Sequence, residues 1–245
     1  MSPAAIEVRD LGFDYHGEPV LEGLGFEIQT GERVGLVGPN GAGKTTLLLL
    51  LDGLLRGRGE VRVLGTLLAD RSLPWIRARL GLVFADPQDQ LFMPTLLDDA
   101  AFGPLNMGLS REAARERARD ALERMRLAGL AERSPHQLSH GEQRRAAMAA
   151  VLSMQPAIWL LDEPAANLDP QGRSELIELL RELPTLLLAS HDLDLVLQVC
   201  ERCLVLDGGQ LVAQGPTREL LSDESLMTAH RLEVPLRLAL ERRQP

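Results

Sequence analysis

Eight residues, GPNGAGKT (Gly38–Thr45), constrain this chain more than any other stretch. They fit the pattern G-x-x-x-x-G-K-[ST] at every fixed position. The apolar run ERVGLVG (Glu32 to Gly38) reads as a strand leading into them, and a leucine-rich helix follows from Gly43 to about Gly53. A glycine-rich turn between a strand and a helix lets backbone N–H groups converge on one point. The helix N-terminus adds partial positive charge there. Such a loop is built to hold nucleotide phosphates. Gly38, Pro39, Asn40, Gly41, Ala42, Gly43 and Thr46 supply the cradle. The Lys44 ammonium can reach the β- and γ-phosphates, and the Thr45 hydroxyl can ligate Mg²⁺.

The rest of the chain must supply a sheet for that loop. IEVRDLGFDY and VLEGLGFEIQ alternate with period two and read as antiparallel strands. EVRVLGTLL reads as a further strand, and LGLVF (Leu80–Phe84) as a buried one. From residue 157 onward, AIWLLD, GRSELIELLREL, TLLLAS, DLDLVLQVCE and CLVLDG alternate strand and helix, which predicts a parallel sheet covered on both faces. The middle is helical. Ser110 is a candidate N-cap with Glu112 in the first turn, and Ala114, Ala118, Ala121, Leu122 and Met125 recur on one face. The opposite face mixes Arg with Glu and Asp, which fits a solvated surface; RNA binding is the alternative. Another helix runs from Gly141 to about Met154. The tail after Ser222 carries apolar residues with no clear partner.

Composition narrows the class. With 45% hydrophobic residues but 3% aromatic, the core must be aliphatic. The balance of 26 basic and 35 acidic residues, net −9, argues against a surface for nucleic-acid backbones. The N-terminus lacks the basic start and apolar stretch of a signal peptide. The most apolar run, LLLLLDGLL, falls short of the ~20 residues of a membrane span. A cytoplasmic chain is expected, one that could still sit on a membrane by binding a protein that spans it. Cys200 and Cys203 form a C-x-x-C that reads as core packing, with a redox pair or half a zinc site as the alternatives.

Two further strings carry chemistry. AIWLLDEP (Ala157–Pro164) delivers Asp162 to the end of a buried strand, where a carboxylate suits direct or indirect Mg²⁺ binding. Glu163, one residue on, should face the other side of the chain and polarise a water for attack on the γ-phosphate. In LSHGEQRR (Leu138–Arg145), Ser139 can cap a helix beginning near Gly141, and the free N–H groups there would make a second anion site. One phosphate loop plus a second phosphate-binding helix start invites a dimer, each subunit presenting that start to the other's nucleotide. His136 and His140 have metal-ligand spacing for a helix, but Pro135 and Gly141 oppose a continuous helix there.

Together these strings resemble the ATP-binding-cassette (ABC) ATPases over nearly the whole chain. Walker A matches Gly38–Thr45 and Walker B matches IWLLDE. The signature, usually L-S-G-G-Q, appears as LSHGE. The D-loop matches ANLDP (Ala166–Pro170), the switch histidine matches His191, and Tyr15 stands where the family stacks an aromatic on adenine. The resemblance implies an α/β P-loop NTPase core with an antiparallel β subdomain and an inserted helical subdomain at about 91–155. These would form an ATPase domain of residues 1–225, with a short extension at 226–245. It implies ATP and Mg²⁺ as cofactors, and Glu163, His191 and Lys44 as catalytic residues. Tyr15, the phosphate loop, Ser139, Gly141 and Glu142 would contact nucleotide. Thr45 and Asp162 would hold the metal.

One position departs from the family. The Q-loop glutamine usually follows its strand directly, and here that position is Ala85. Gln88 or Gln90 could replace it as a metal-side ligand; alternatively the site works without one. The surrounding DPQDQLFMPTLLDDAAFGPLNMGL resembles the ATPases of energy-coupling-factor and cobalt/nickel-type importers. That implies a peripheral subunit on the cytoplasmic face of the cell membrane, coupled to an integral membrane subunit and a substrate-capture protein. It would work as a homodimer or with a paralogous ATPase, with cobalt or nickel as cargo and vitamin uptake as the alternative. A soluble ABC ATPase acting on nucleic acid or the ribosome is a reading from a different class, opposed by the net charge. A regulatory nucleotide binder without turnover is a third, which Ala85 alone favours.

Overall fold

A phosphate loop needs a strand end that cannot move, and the computed structural model, which describes residues 4–241, shows how the sequence provides one. Ten strands are present among these residues: β1 (Ile6–Tyr15), β2 (Glu18–Ile28), β3 (Arg33–Val37), β4 (Arg58–Val63), β5 (Thr66–Leu67), β6 (Leu80–Val83), β7 (Ile158–Asp162), β8 (Leu186–Ala189), β9 (Arg202–Asp207) and β10 (Gln210–Pro216). The α-helices are α1 (Lys44–Leu51), α2 (Leu73–Arg77), α3 (Leu96–Asn106), α4 (Arg111–Arg124), α5 (His140–Leu152), α6 (Pro170–Glu182), α7 (Leu193–Val199), α8 (Thr217–Ser222), α9 (Glu224–Ala229) and α10 (Leu236–Glu241).

One sheet has the order β10-β9-β3-β8-β7-β6, with β9, β3, β8, β7 and β6 parallel and β10 antiparallel at the edge. Its central strands are apolar on both faces. Every residue of β7 and β8 is buried, as a sheet covered on both sides requires. The second sheet, β2-β1-β4-β5, is antiparallel. One apolar cluster joins it to β3 and α1, through Leu21, Leu24, Leu36, Leu47 and Leu51 among others. The phosphate loop is therefore gripped between the two sheets. Gly81 and Gly35 show how tightly the helices lie on the parallel sheet: a Cβ at either would come within 2.3 Å of a valine methyl, that of Val151 or Val196.

Helices α3, α4 and α5 pack on one another. Ser110 caps α4 by accepting from the Ala113 N–H, and the predicted face Ala114, Ala118, Ala121, Leu122 and Met125 is buried. Thr95 caps α3 in the same way, through the Asp98 N–H.

Two expectations change. EVRVLGTLL is not one strand: Leu64 and Gly65 both adopt left-handed backbone, at φ 50° and 75°, so β4 turns back on β5 with Val63 opposite Thr66. A leucine at such a φ gives no composition signal for a two-residue hairpin turn. The tail after Ser222 does have a partner. Leu221, Met227 and Leu238 are buried in the same cluster as α7, β9 and the parallel sheet. His230 and Arg231 bind the Asp207 carboxylate at 3.0 and 2.6 Å. The boundary expected between 225 and 226 falls inside α9.

Candidate functional site

At the end of β3 the chain turns through Gly38, and a Cβ there would stand 2.0 Å from the Leu206 carbonyl oxygen of β9. Only glycine lets the loop leave the sheet at that point. Gly43, at φ 102°, begins α1 and would drive a Cβ to 2.6 Å from Leu21. The loop encloses one end of a cavity of about 250 Å³, lined by Val20, Asn40, Gly41, Gly43, Lys44, Thr45, Thr46, Asp162 and Glu163.

Lys44 is only 7% exposed, and its ammonium donates to the Gly38 and Pro39 carbonyls at 2.8 and 3.2 Å. Burial holds its pKa below the usual lysine value, while Glu163 and Asp162 act in the opposite direction. The Thr45 hydroxyl donates to Asp162 Oδ2 at 2.7 Å. Asp162 is 4% exposed, and burial pushes its pKa up, against the Thr45 hydrogen bond. Two hard oxygen donors thus meet at the start of α1, a donor set that suits Mg²⁺.

Glu163 corrects the strand-alternation expectation. β7 ends at Asp162, and Glu163 takes a left-handed φ of 45°. Its side chain lines the same cavity as Asp162 instead of facing away. The loop after β8 holds it there. Ser190 Oγ donates to Oε2 at 2.9 Å, the His191 N–H donates to Oε1 at 2.8 Å, and His191 Nδ1 lies 2.9 Å from Oε2. The same loop is tied to α6, where Arg173 grips Asp192 through two hydrogen bonds of 3.0 and 3.1 Å. Sequence reasoning missed Ser190, Val20 and this Arg173–Asp192 clamp. Ser190 was within reach, because it directly precedes His191 at the end of a buried strand.

Tyr15 ends β1, 43% exposed, with its ring edge-on to Phe13 at 4.7 Å. Ser139 caps α5, but the turn is more occupied than expected. Ser139 Oγ accepts from the Glu142 N–H at 3.3 Å, while Glu142 Oε2 accepts from the Ser139 N–H and hydroxyl, each at 2.8 Å. This is a closed capping box. It holds the Glu142 carboxyl below its usual pKa, chiefly through the Ser139 backbone N–H. The helix starts at His140, one residue before Gly141. Ser139, Gly141 and Glu142 are not among the residues lining the chain's own phosphate-loop cavity.

The ABC transporter family profile matches residues 21–166. A protein of Geobacter sulfurreducens provisionally named as an ABC transporter ATP-binding protein is 49% identical over 239 residues, covering 96% of each chain. The energy-coupling factor transporter ATP-binding protein EcfA of Methanothermobacter thermautotrophicus is 42% identical, covering 94% of this chain and 76% of that one. This chain belongs to the ABC transporter ATP-binding family. Among solved structures, cbiO1 from Clostridium perfringens, part of the ABC transporter complex cbiONQ, superposes with a TM-score of 0.80 at 33% identity, covering 98% of this chain and 99% of that one. A dimeric ATP-binding cassette in a post-hydrolysis state, bound to ADP and phosphate, superposes with a TM-score of 0.78 at 27% identity, over 86% and 98% of the two chains. The chain is thus an ABC-type ATP hydrolase.

The Q-loop segment of this ABC ATPase is built differently from the expectation. Ala85 is exposed. Gln88 lies on a 3-10 turn, Pro87–Asp89, that Asp86 caps by accepting the Gln88 N–H at 2.9 Å; its side chain is exposed and is not among those lining the phosphate-loop cavity. Gln90 accepts from the Phe84 N–H at 3.3 Å and donates to the Ala147 carbonyl at 2.8 Å, so it ties β6 to α5. Neither glutamine is among the residues lining the phosphate-loop cavity. The remaining alternatives resolve simply. His136 sits on the 3-10 turn Pro135–Gln137, with Leu138 extended between it and α5, so the two histidines do not share a helix face. Cys200 and Cys203 are buried free thiols in the main core; burial pushes Cys203 up to about 11 and Cys200 higher still, which suits packing and not redox chemistry.

Proposed function

We propose that this chain is the ATPase subunit of a membrane importer of the energy-coupling-factor and cobalt/nickel type, with cobalt or nickel ion as the cargo. The observation that carries the reading is the position of the segment after β6. One end of it, at Phe84, meets α5. The other end opens on a groove of about 340 Å³ lined by Asp52, Leu54, Phe84, Phe92, Phe102 and Met154 among others. Phe92 is 64% exposed and meets Phe102 edge-to-face at 5.0 Å. Exposed aromatics paired on a groove mark a docking surface. An integral membrane subunit seated there would feel the nucleotide state through one short segment. No helix among the described residues is long and apolar enough to cross a membrane. The chain would therefore lie peripherally on the cytoplasmic face, bound to that subunit and, through it, to a substrate-capture protein.

In this reading residues 91–155 work as the helical subdomain of the ATPase domain. Two copies, or this chain and a paralogue, enclose two ATP molecules, with Ser139, Gly141 and Glu142 of each facing the nucleotide of the other. Tyr15 stacks on the adenine. Gly38 to Thr46 cradle the phosphates, and Lys44 leaves its loop carbonyls for the β- and γ-phosphates. Thr45 and Asp162 would hold Mg²⁺, which would neutralise charge on the phosphates. Glu163, held by Ser190 and His191, orients the attacking water and takes its proton, and His191 faces the γ-phosphate.

Affinity capture of the tagged chain from detergent-solubilised native membranes, with protein identification, tests the assembly. Recovery of a multi-span subunit with a small capture protein supports it; recovery of ribosomes or DNA alone refutes it. Uptake of labelled cobalt, nickel or a vitamin by cells lacking the chain identifies the cargo. Glu163→Gln tests the chemistry: ATP should still bind while turnover falls at least ~10²-fold. Wild-type turnover would remove Glu163 from its role.

A further inference from the structure

Ala85 offers no polar side chain, and a different element reaches the residue just before it. Arg144 lies on α5, five residues after Ser139, and is 4% exposed. Its Nη1 donates to the Phe84 carbonyl at 3.3 Å, the residue immediately before Ala85. Burial holds its pKa below the usual arginine value, while Asp86, Asp162 and Glu163 act in the opposite direction. The Gln90 bridge from β6 to Ala147 of α5 runs beside it, so the end of β6 is tied to α5 by two side chains. Gln90 is neutral and both ends of its amide are engaged. Arg144 alone brings a buried charge into this joint. A guanidinium is costly to bury and is retained where its charge or its fork of donors is used.

We propose that Arg144 is a positioning residue for hydrolysis: from α5 it holds the end of β6 at Phe84 and sets the field at Asp162 and Glu163, in place of a side chain at 85. The proposal rests on the assignment of Asp162 and Glu163 made above. It also gives α5 a function along its length. The helix begins at the signature turn and carries Arg144 a turn and a half later, so a displacement at Ser139 is a displacement of Arg144 relative to the two carboxylates. In a family member with glutamine at 85, that link would be carried by the Q-loop. Here the loop contributes its backbone carbonyl, and the helix contributes the charge.

The test uses the full chain, with Arg144→Met, Arg144→Lys and the double variant Ala85→Gln/Arg144→Met. Fluorescent-ATP affinity in EDTA reports the phosphate loop alone. Steady-state kinetics give kcat, KM and the half-saturating Mg²⁺ concentration. For Arg144→Met, kcat should fall ~10-fold or more with KM and EDTA affinity within ~2-fold. The half-saturating Mg²⁺ should fall ~3-fold, because a cation near Asp162 has been removed. Arg144→Lys should recover most of both quantities, and Ala85→Gln should restore part of kcat to the methionine variant. A simple packing loss would not tighten Mg²⁺. Wild-type kcat and Mg²⁺ dependence in Arg144→Met overturns the proposal. So does a loss of kcat that tracks a loss of EDTA affinity and that lysine does not recover. Glu163→Gln, run in parallel, separates the two levels. If it turns over normally, the carboxylate assignment has failed. If it does not, the Arg144 variants alone decide the role of Arg144.

Discussion

Asp52 offers a quantitative test of how the groove is built. It ends α1, where a carboxylate opposes the helix dipole, and it lies against the groove with Arg77 Nε at 3.7 Å. Burial pushes its pKa up to about 7 from an ordinary 3.8, and Arg77 recovers only part of that. A carboxyl whose folded pKa lies above its unfolded value keeps its proton longer in the folded state. Its contribution to stability is then intact below pH 4 and declines as the pH rises towards 7. The full decline is 7 − 3.8 pH units, at ~1.4 kcal/mol each, or about 4 kcal/mol. Asp52→Asn keeps the shape of the protonated acid and cannot ionise, so it escapes the decline. Between pH 5 and pH 8 only the part from 5 to 7 remains, so the variant should gain on the parent by about 3 kcal/mol. For a chain of this size that widens the gap in melting temperature by roughly 6–12 °C. Thermal unfolding of both proteins at pH 5, 6, 7 and 8 reads it directly. Any hydrogen bond the amide makes or loses shifts the gap equally at every pH and drops out of the comparison. A gap that stays constant from pH 5 to 8 would show that Asp52 is ionised throughout and that burial does not control its charge.

The phosphate loop supports two further predictions. Lys44→Ala should weaken ATP binding ~10-fold or more by titration calorimetry, because it removes the cation now resting on the Gly38 and Pro39 carbonyls; unchanged affinity would contradict the loop assignment. Gly38→Ala places a methyl group 2.0 Å from the Leu206 carbonyl, a backbone atom that cannot swing aside. β3 and β9 must part, so stability should fall by ~1–3 kcal/mol in thermal melts, together with ATP affinity; a variant that melts and binds like the parent would show that the loop exit is not sterically fixed.

How much of this was legible in the sequence follows from the range over which each feature is determined. The phosphate loop, the parallel core and the caps at Ser110 and Ser139 depend on residues within a few positions of one another, and all were readable. Two errors arose where backbone conformation overrode side-chain pattern. Leu64 adopts a left-handed φ that its chemistry does not advertise, so one apparent strand became a hairpin. Glu163 does the same, so alternation along β7 stopped one residue earlier than the pattern implied. The tail was misjudged for a different reason. Leu221, Met227 and Leu238 are too widely spaced to form a periodic stripe, and their partners lie on α7 and β9, contacts that no local window contains.

The Q-loop shows the same limit at the site itself. From the sequence, Ala85 was a loss, and the natural repair was the nearest residue of the same type. In the structure Gln88 is exposed, and Gln90 is engaged between Phe84 and Ala147. The residue proposed to act there is 59 positions away on α5 and chemically unlike glutamine: its guanidinium donates to the Phe84 carbonyl, and Asp162 and Glu163 act on its charge. Arg144 was in plain view within LSHGEQRR, a string that reads first for its Ser139 cap and its helix start. Only the crossing of α5 over the end of β6 separates it from its neighbour Arg145, whose Nε is buried without a hydrogen-bond partner. Two adjacent arginines on one helix point in different directions, about 100° apart. One faces the joint, and sequence spacing alone had no means of choosing between them.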